Sequence, residues 1–352
     1  IPGNASSVHQ EGQRARAVVE RSRRAVAEAV GAEAQGVVLT GGATESNNQV
    51  LRSHVRRTDN PRVVCSAVEH PSVLEVVEML GGRGVDVATC PVDGRGRLDL
   101  EALDAELQAG ATLVSVMLAN NETGTIYPIE EVADRVRAHG ARLHVDATQA
   151  LGRIPIDFES LGADVLTLSF HKTGGPKGIG AIVLREEQTI EALMAGGHQE
   201  RGRRPGTENV PAAAGLERIA ELVAERTPQW RDQMRERRRQ FLERLEENCG
   251  DFDLRGDPGA HLPNTLNVAF PEIGGEDFLL AADLEGVSAS SGSACTAGSL
   301  EPSHVVLAMG FDRSDARRSV RFSFGPTTAE DELLEAADRI GRVVRRLSKV
   351  GA

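Results

Sequence analysis

From Val8 to Val30 the apolar positions Ala15, Val18, Val19, Ala25, Val26 and Ala29 recur at helical spacing, with Arg and Glu between them. That spacing predicts an amphipathic helix at the start of the chain. The period then changes. Short apolar runs alternate with helix-length amphipathic stretches: Gly36 to Leu39, Arg62 to Cys65, Val85 to Ala88, Leu113 to Met117, Leu143 to Val145, Asp164 to Leu168 and Ala181 to Leu184. Strand runs separated by helices predict an α/β fold with a mostly parallel, doubly wound sheet. Past Thr227-Pro228 the character shifts again. A long charged helix from Trp230 to Glu247 leads to shorter strands, Thr265 to Phe270 and Ser319 to Ser323, and a closing helix from Glu330 to Leu347. Two domains are expected, residues 1–227 as the larger and 228–352 as a smaller α+β one, which suits a chain of 352 residues.

Composition narrows the function classes. A formal net charge of −12 argues against a phosphate-backbone binder, and the Arg235 to Arg239 run is interleaved with Glu on a helix, as a solvated face is. No direct nucleic-acid binding is expected. No apolar run approaches the length of a membrane span, and Ile1-Pro2-Gly3-Asn4 does not resemble a signal peptide. The four cysteines, Cys65, Cys90, Cys249 and Cys295, are widely spaced with no CxxC pair, so neither a disulfide framework nor a metal site is expected, and a reducing cytoplasm is. Lysine occurs only at Lys172, Lys177 and Lys349. Chemistry that needs a side-chain amine therefore has three candidates.

In open α/β sheets ligands bind at the carboxyl ends of the strands. After Val37-Val38-Leu39 comes Thr40-Gly41-Gly42-Ala43-Thr44, opening a helix, a pattern that offers free N–H groups to an anion. The next strand ends lead to Glu69-His70-Pro71, to Asn120-Asn121-Glu122 and to Asp146-Ala147-Thr148-Gln149. An Asp closing a buried strand needs a cationic or hydrogen-bonding partner, such as a pyridinium nitrogen. Ser169-Phe170-His171-Lys172 follows, then a glycine-rich turn carrying Lys177. Lys172 at the end of a buried strand, beside His171, suits Schiff-base chemistry through desolvation and neighbouring cations. An anion cradle, an Asp, a His, amides and a Lys at successive strand ends make the set that pyridoxal phosphate (PLP) requires.

These segments resemble the NifS/IscS-type cysteine desulfurases, class-V aminotransferase-like PLP enzymes of fold-type I. The resemblance runs from Gly3-Asn4-Ala5-Ser6-Ser7 to Arg321-Phe322-Ser323-Phe324-Gly325. Its most specific segment is Ser290-Ser291-Gly292-Ser293-Ala294-Cys295-Thr296-Ala297-Gly298-Ser299-Leu300-Glu301-Pro302-Ser303, which in this family is the loop carrying the sulfur-accepting cysteine. Its length resembles the IscS-like branch. In two respects the sequence departs from the family: Ala5 stands where Pro is usual, and the Asp-Asn-Ala-Thr-Thr-like segment that precedes Gly-Asn-Pro-Ser-Ser is not in it.

The resemblance implies roles. Lys172 would hold PLP and take the Cα proton of cysteine, His70 would stack on the ring and assist proton transfers, and Asp146 would pair with the ring nitrogen. Gln149 and Asn121 would bond the ring's phenolic oxygen or the substrate, and Ala43, Thr44, Ser169 and His171 would hold the phosphate. Thr207 would reach the cofactor phosphate of the other subunit of a homodimer, while Arg321 would bind the carboxylate of L-cysteine. Cys295 would take the sulfur as a persulfide, leaving alanine, and pass it to an acceptor protein, an iron–sulfur scaffold or a tRNA-thiolation relay. Competing readings on the same scaffold are a selenocysteine lyase, an aminotransferase, and an impaired, partner-dependent subunit of iron–sulfur assembly.

Overall fold

The computed structural model describes residues 3–186, 188–291 and 301–348. Strands β1 (Val37–Thr40), β2 (Arg62–Ser66), β3 (Asp86–Cys90), β4 (Leu113–Met117), β5 (Arg142–Asp146), β6 (Val165–Ser169) and β7 (Gly180–Leu184) form one sheet in the order β1-β7-β6-β5-β4-β2-β3. Only β7 runs antiparallel to its neighbours. Helices α1 (Gln10–Ala29), α2 (Ala43–Arg57), α3 (Pro71–Gly81), α4 (Leu100–Gln108), α5 (Ile129–Ala138) and α6 (Phe158–Leu161) alternate with the strands. Strands β1, β4, β6 and β7 are buried at every position, so their sequences read as mostly apolar runs with small hydroxyls rather than as alternations. The expected mostly parallel α/β sheet is therefore present, and the ends of β1, β2, β5 and β6 lie at its carboxyl edge.

The chain divides into two compact units. The first takes in residues 1–90, 100–119 and 127–228. The second takes in 91–99, 120–126 and 229–352. Its elements are β8 (Asp253–Arg255), β9 (Thr265–Ala269), β10 (Ser290–Ser291) and β11 (Ser319–Ser323), an antiparallel sheet in the order β10-β11-β9-β8. Helix α7 (Val210–Cys249) passes through the boundary residue Pro228, and α8 (Gly275–Leu284), α9 (His304–Ala308), α10 (Arg313–Arg317) and α11 (Glu330–Ser348) complete the unit. Seven of the nine phenylalanines fall after residue 228. Four of them (Phe241, Phe270, Phe278 and Phe322) interlock in the core, with Phe270 stacked on Phe278 at 5.0 Å and Phe241 edge-on to Phe322 at 5.7 Å. Large rings let a small sheet exclude water with few residues.

The long charged helix expected from Trp230 starts earlier: α7 begins at Val210 and runs through Pro228 for 40 residues in all. Proline removes one N–H from the helix ladder. Here Thr227 Oγ1 adds a bond to the Val223 carbonyl at 2.6 Å, in the buried turn that precedes the proline.

Candidate active site

The turn after β1 is built for close approach. Gly42 caps α2 with φ 138, a conformation that a side chain rarely adopts, and no side chain caps the helix. A Cβ on Gly180 would stand 2.7 Å from Gly42 Cα, so both positions require glycine. The first-turn N–H groups of α2, including those of half-buried Ala43 and exposed Thr44, are left for an anion. The acidic residue in that turn, Glu45, is engaged elsewhere: it accepts from Gly41 N at 2.9 Å and pairs with Arg204 at 2.9 Å.

Ser169, buried at the end of β6, bonds His171 Nδ1 through its hydroxyl at 2.8 Å. Burial holds His171 below the usual histidine range, and the charges of Lys172, Lys177 and Arg153 press it further down. Three cations beside an uncapped helix start suit a multiply charged anion. Lys172 itself corrects one expectation. It lies on a 3₁₀ turn, Phe170–Thr173, and is exposed instead of desolvated. Phe170 takes the inward position of that turn, fully buried, and Lys172 projects outward.

Asp146 closes β5 and is buried. Its Oδ1 accepts from Thr148 N at 2.9 Å and its Oδ2 from Asn47 Nδ2 at 2.8 Å. Both donors are neutral. Asn47 Oδ1 and Thr148 Oγ1 are buried without a hydrogen-bond partner. His70 caps α3, and its Nδ1 meets Ser72 N at 3.1 Å and Ser72 Oγ at 2.8 Å. Gln149, three residues beyond Asp146, is half-buried. Glu69, fully buried before His70, is raised to about 8 by burial above all.

Thr207 is exposed and lines a cavity of about 260 Å³ with Thr40, Gly178, Glu200 and Asn209. The segment leading to it is clamped. Glu200 pairs with Arg23 at 2.6 and 2.8 Å, both side chains buried, and takes Leu39 N at 3.0 Å. The clamp holds Glu200 and Arg201 at φ 50 and 58, left-handed values that non-glycine residues seldom adopt.

In the second unit the two amides of Asn120-Asn121 part company. Asn120 Oδ1 accepts from Glu122 N and Thr123 N at 2.8 and 2.9 Å, a structural turn. Asn121 Oδ1 is buried without a hydrogen-bond partner, while its backbone oxygen accepts from Arg321 Nη1 at 2.5 Å. Buried Glu122 takes the Ser303 hydroxyl at 2.5 Å, and burial raises its carboxyl against the opposing charges of His304 and Arg321. Cys295 and Lys349 lie outside the described residues. Cys65 and Cys90 are buried, and burial pushes the Cys65 thiol well up and that of Cys249 to about 11, so neither of these two readily gives a thiolate.

The model of the aminotransferase class-V family matches residues 2–335. The chain belongs to this family. Its relatives narrow it further: a cysteine desulfurase of Trichormus azollae is 42% identical over 349 residues, covering 98% of this chain and 86% of that protein. A cysteine desulfurase IscS of Dictyoglomus turgidum is 37% identical, covering 99% and 89%. Among solved structures, a NifS-like protein superposes with a TM-score of 0.89 at 34% identity, covering 98% of this chain and 92% of that one. Within class V the chain is thus a cysteine desulfurase family member, and the family implies PLP.

Four site residues carry no role in the sequence reading: Asn47, Ser72, Thr148 and Glu122. Asn47 sits one turn into α2, where an Asn is ordinarily read as a surface residue, and only its complete burial marks it. Ser72, at the second position of α3, reads as a helix-start residue. Thr148 stands two residues after the strand-closing Asp146, a spacing that signals a side chain at the sheet edge.

Proposed function

We propose that this protein removes sulfur from L-cysteine with PLP held by Lys172, moves it to Cys295 as a persulfide, and releases L-alanine. The observation that carries the cofactor part is the pairing of two unlike subsites at one sheet edge. One is an uncapped helix start beside Ser169, His171 and three cations, and the other is a buried Asp146 met by neutral donors only. The first suits a phosphate and the second a protonated ring nitrogen, so the residues present fit the group. Bound there, PLP supplies an electron sink for the bonds at the substrate's Cα.

This chain's own residues do the rest. Arg321 holds the substrate carboxylate through its planar fork, with Asn121 beside it. His70 covers the ring face and takes part in proton movement, and Gln149 orients the ring's phenolic side. Lys172, exposed on its turn, moves the proton at Cα. The Cys295 thiolate attacks the substrate sulfur: an S–S bond forms, the C–S bond breaks, and protonation of the remaining carbon skeleton gives alanine. Thr207 reaches the cofactor phosphate of the other subunit, which makes a homodimer part of the proposal. An iron–sulfur scaffold protein is the proposed sulfur acceptor and the cytoplasm the proposed setting. The first unit serves as the PLP-binding domain and the second carries the Cys295 segment.

The test is an absorbance spectrum of purified protein for bound PLP, followed by sulfide and alanine assays on addition of cysteine and a thiol. Colour with equal sulfide and alanine is expected, with sulfide abolished in Cys295→Ala. No colour even after PLP is added would defeat the proposal, and turnover that survives Cys295→Ala would favour an aminotransferase.

A further inference from the structure

Between Asp146 and the His70 ring lies a chain of hydrogen bonds in which every proton has a direction. Asn47 Nδ2 is 2.8 Å from Asp146 Oδ2 and 2.9 Å from Ser72 Oγ. Ser72 Oγ is 2.8 Å from His70 Nδ1, and Ser72 N donates to the same nitrogen at 3.1 Å. Asn47 and Ser72 are both buried. An amide nitrogen only donates, and its two protons serve the carboxylate and the hydroxyl. The hydroxyl, accepting from Asn47, has one proton, which it gives to Nδ1. A neutral His70 then carries its own proton on Nε2. The reverse setting of the Asn47 amide would put Oδ1 against the carboxylate, two acceptors at hydrogen-bond distance in a buried place. Leaving Asn47 Oδ1 without a partner is the lesser cost.

We infer that Asn47 and Ser72 are positioning residues, which hold the Asp146 carboxylate as an acceptor and lock the His70 ring in its Nε2–H form. The inference rests on the PLP reading only for its consequence, since His70 and Asp146 are the side chains proposed to meet the ring. With Nδ1 occupied by two donors and Nε2 protonated, neutral His70 offers a hydrogen bond from Nε2 but no free lone pair to take a substrate proton. Removal of the Cα proton then belongs to Lys172. The neighbouring carboxyl of Glu69 accepts at Oε1 from Ser66 Oγ and Met117 N, and the nearby His144 bonds Ser115 and Thr167.

The test reads the His70 ring nitrogens by ¹⁵N NMR in full-length protein stripped of cofactor. One tautomer is expected, with a bare, hydrogen-bonded Nδ1. Ser72→Ala should move the Nδ1 signal toward that of a weakly bonded nitrogen, and Ser72→Thr should keep the original signal. Asn47→Ala frees the Ser72 hydroxyl to turn away, so the Nδ1 signal should again move toward that of a weakly bonded nitrogen, which Ser72 N alone keeps as an acceptor. In a parallel PLP titration Asn47→Ala should weaken binding about tenfold, which is about 1.4 kcal/mol. A protonated Nδ1 in the original protein, or ring signals identical in all the variants, would overturn the inference. Unchanged PLP affinity in Asn47→Ala would remove its Asp146 half. Should Asn47→Ala not fold, the Ser72 pair still decides. Loss of PLP binding by every protein, the original included, would refute the cofactor proposal while the ring signals judged this one.

Discussion

Glu69 offers a quantitative check on the buried chemistry beside His70. The carboxyl is fully buried, and its rise from 4.5 to about 8 comes first from burial. Hydrogen bonds from Ser66 Oγ and Met117 N, at 2.5 and 2.8 Å, oppose the rise, and the charge of Asp146 adds to it. Between those two values the folded state holds a proton that the unfolded chain has lost. Stability is therefore fully present below about 4.5 and falls as pH rises through about 8. A tenfold change in an ionisation constant is about 1.4 kcal/mol, so the total fall is on the order of 5 kcal/mol. Glu69→Gln keeps the shape and an acceptor for both hydrogen bonds but cannot ionise. Urea unfolding of the two cofactor-free proteins, followed by circular dichroism, should agree to within about 1 kcal/mol near pH 5. Near pH 9 the variant should be the more stable by roughly 3–5 kcal/mol. A difference between the two proteins that is the same at both pH values would refute the reasoning, because a packing defect has no pH dependence while an ionisation must.

The remaining predictions concern the clamp and the binding groups. Glu200→Gln breaks the buried pair with Arg23 and should cost about 3 kcal/mol, seen as a fall in the thermal midpoint of about 4 °C for a chain of this length; an unchanged midpoint would show that the clamp carries no stability. Arg321→Lys keeps the charge and loses the fork, so the KM for cysteine should rise about tenfold with a smaller change in kcat; a loss confined to kcat would contradict a role in holding the carboxylate. Asp146→Asn leaves Asn47 Nδ2 facing an amide and removes the charge opposite the proposed ring nitrogen. PLP affinity, measured by absorbance titration of stripped protein, should drop by about tenfold or more, and unaltered affinity would refute the pairing.

The sequence by itself determined the sheet and most of its edge. Runs such as Leu113 to Met117 and Asp164 to Leu168 were legible because a strand buried on both faces is mostly apolar, broken only by small buried hydroxyls such as Ser115 and Thr167. Gly41-Gly42, Asp146 and Lys172 were legible because each follows a strand end, where open α/β sheets place their ligands. Three things waited for the tertiary structure. The run of α7 through Pro228 shows tertiary context overriding a local helix breaker, with the Thr227 hydroxyl adding a bond to Val223 in the turn before the proline, and periodicity does not encode it. The exposure of Lys172 depends on which residue of a four-residue turn faces the core, and Phe170 does. The chain from Asp146 through Asn47 and Ser72 to His70 joins α2, α3 and β5, with 99 residues between Asn47 and Asp146. Sequence spacing describes contacts within one element; hydrogen bonds between elements exist only once the sheet has ordered its strands.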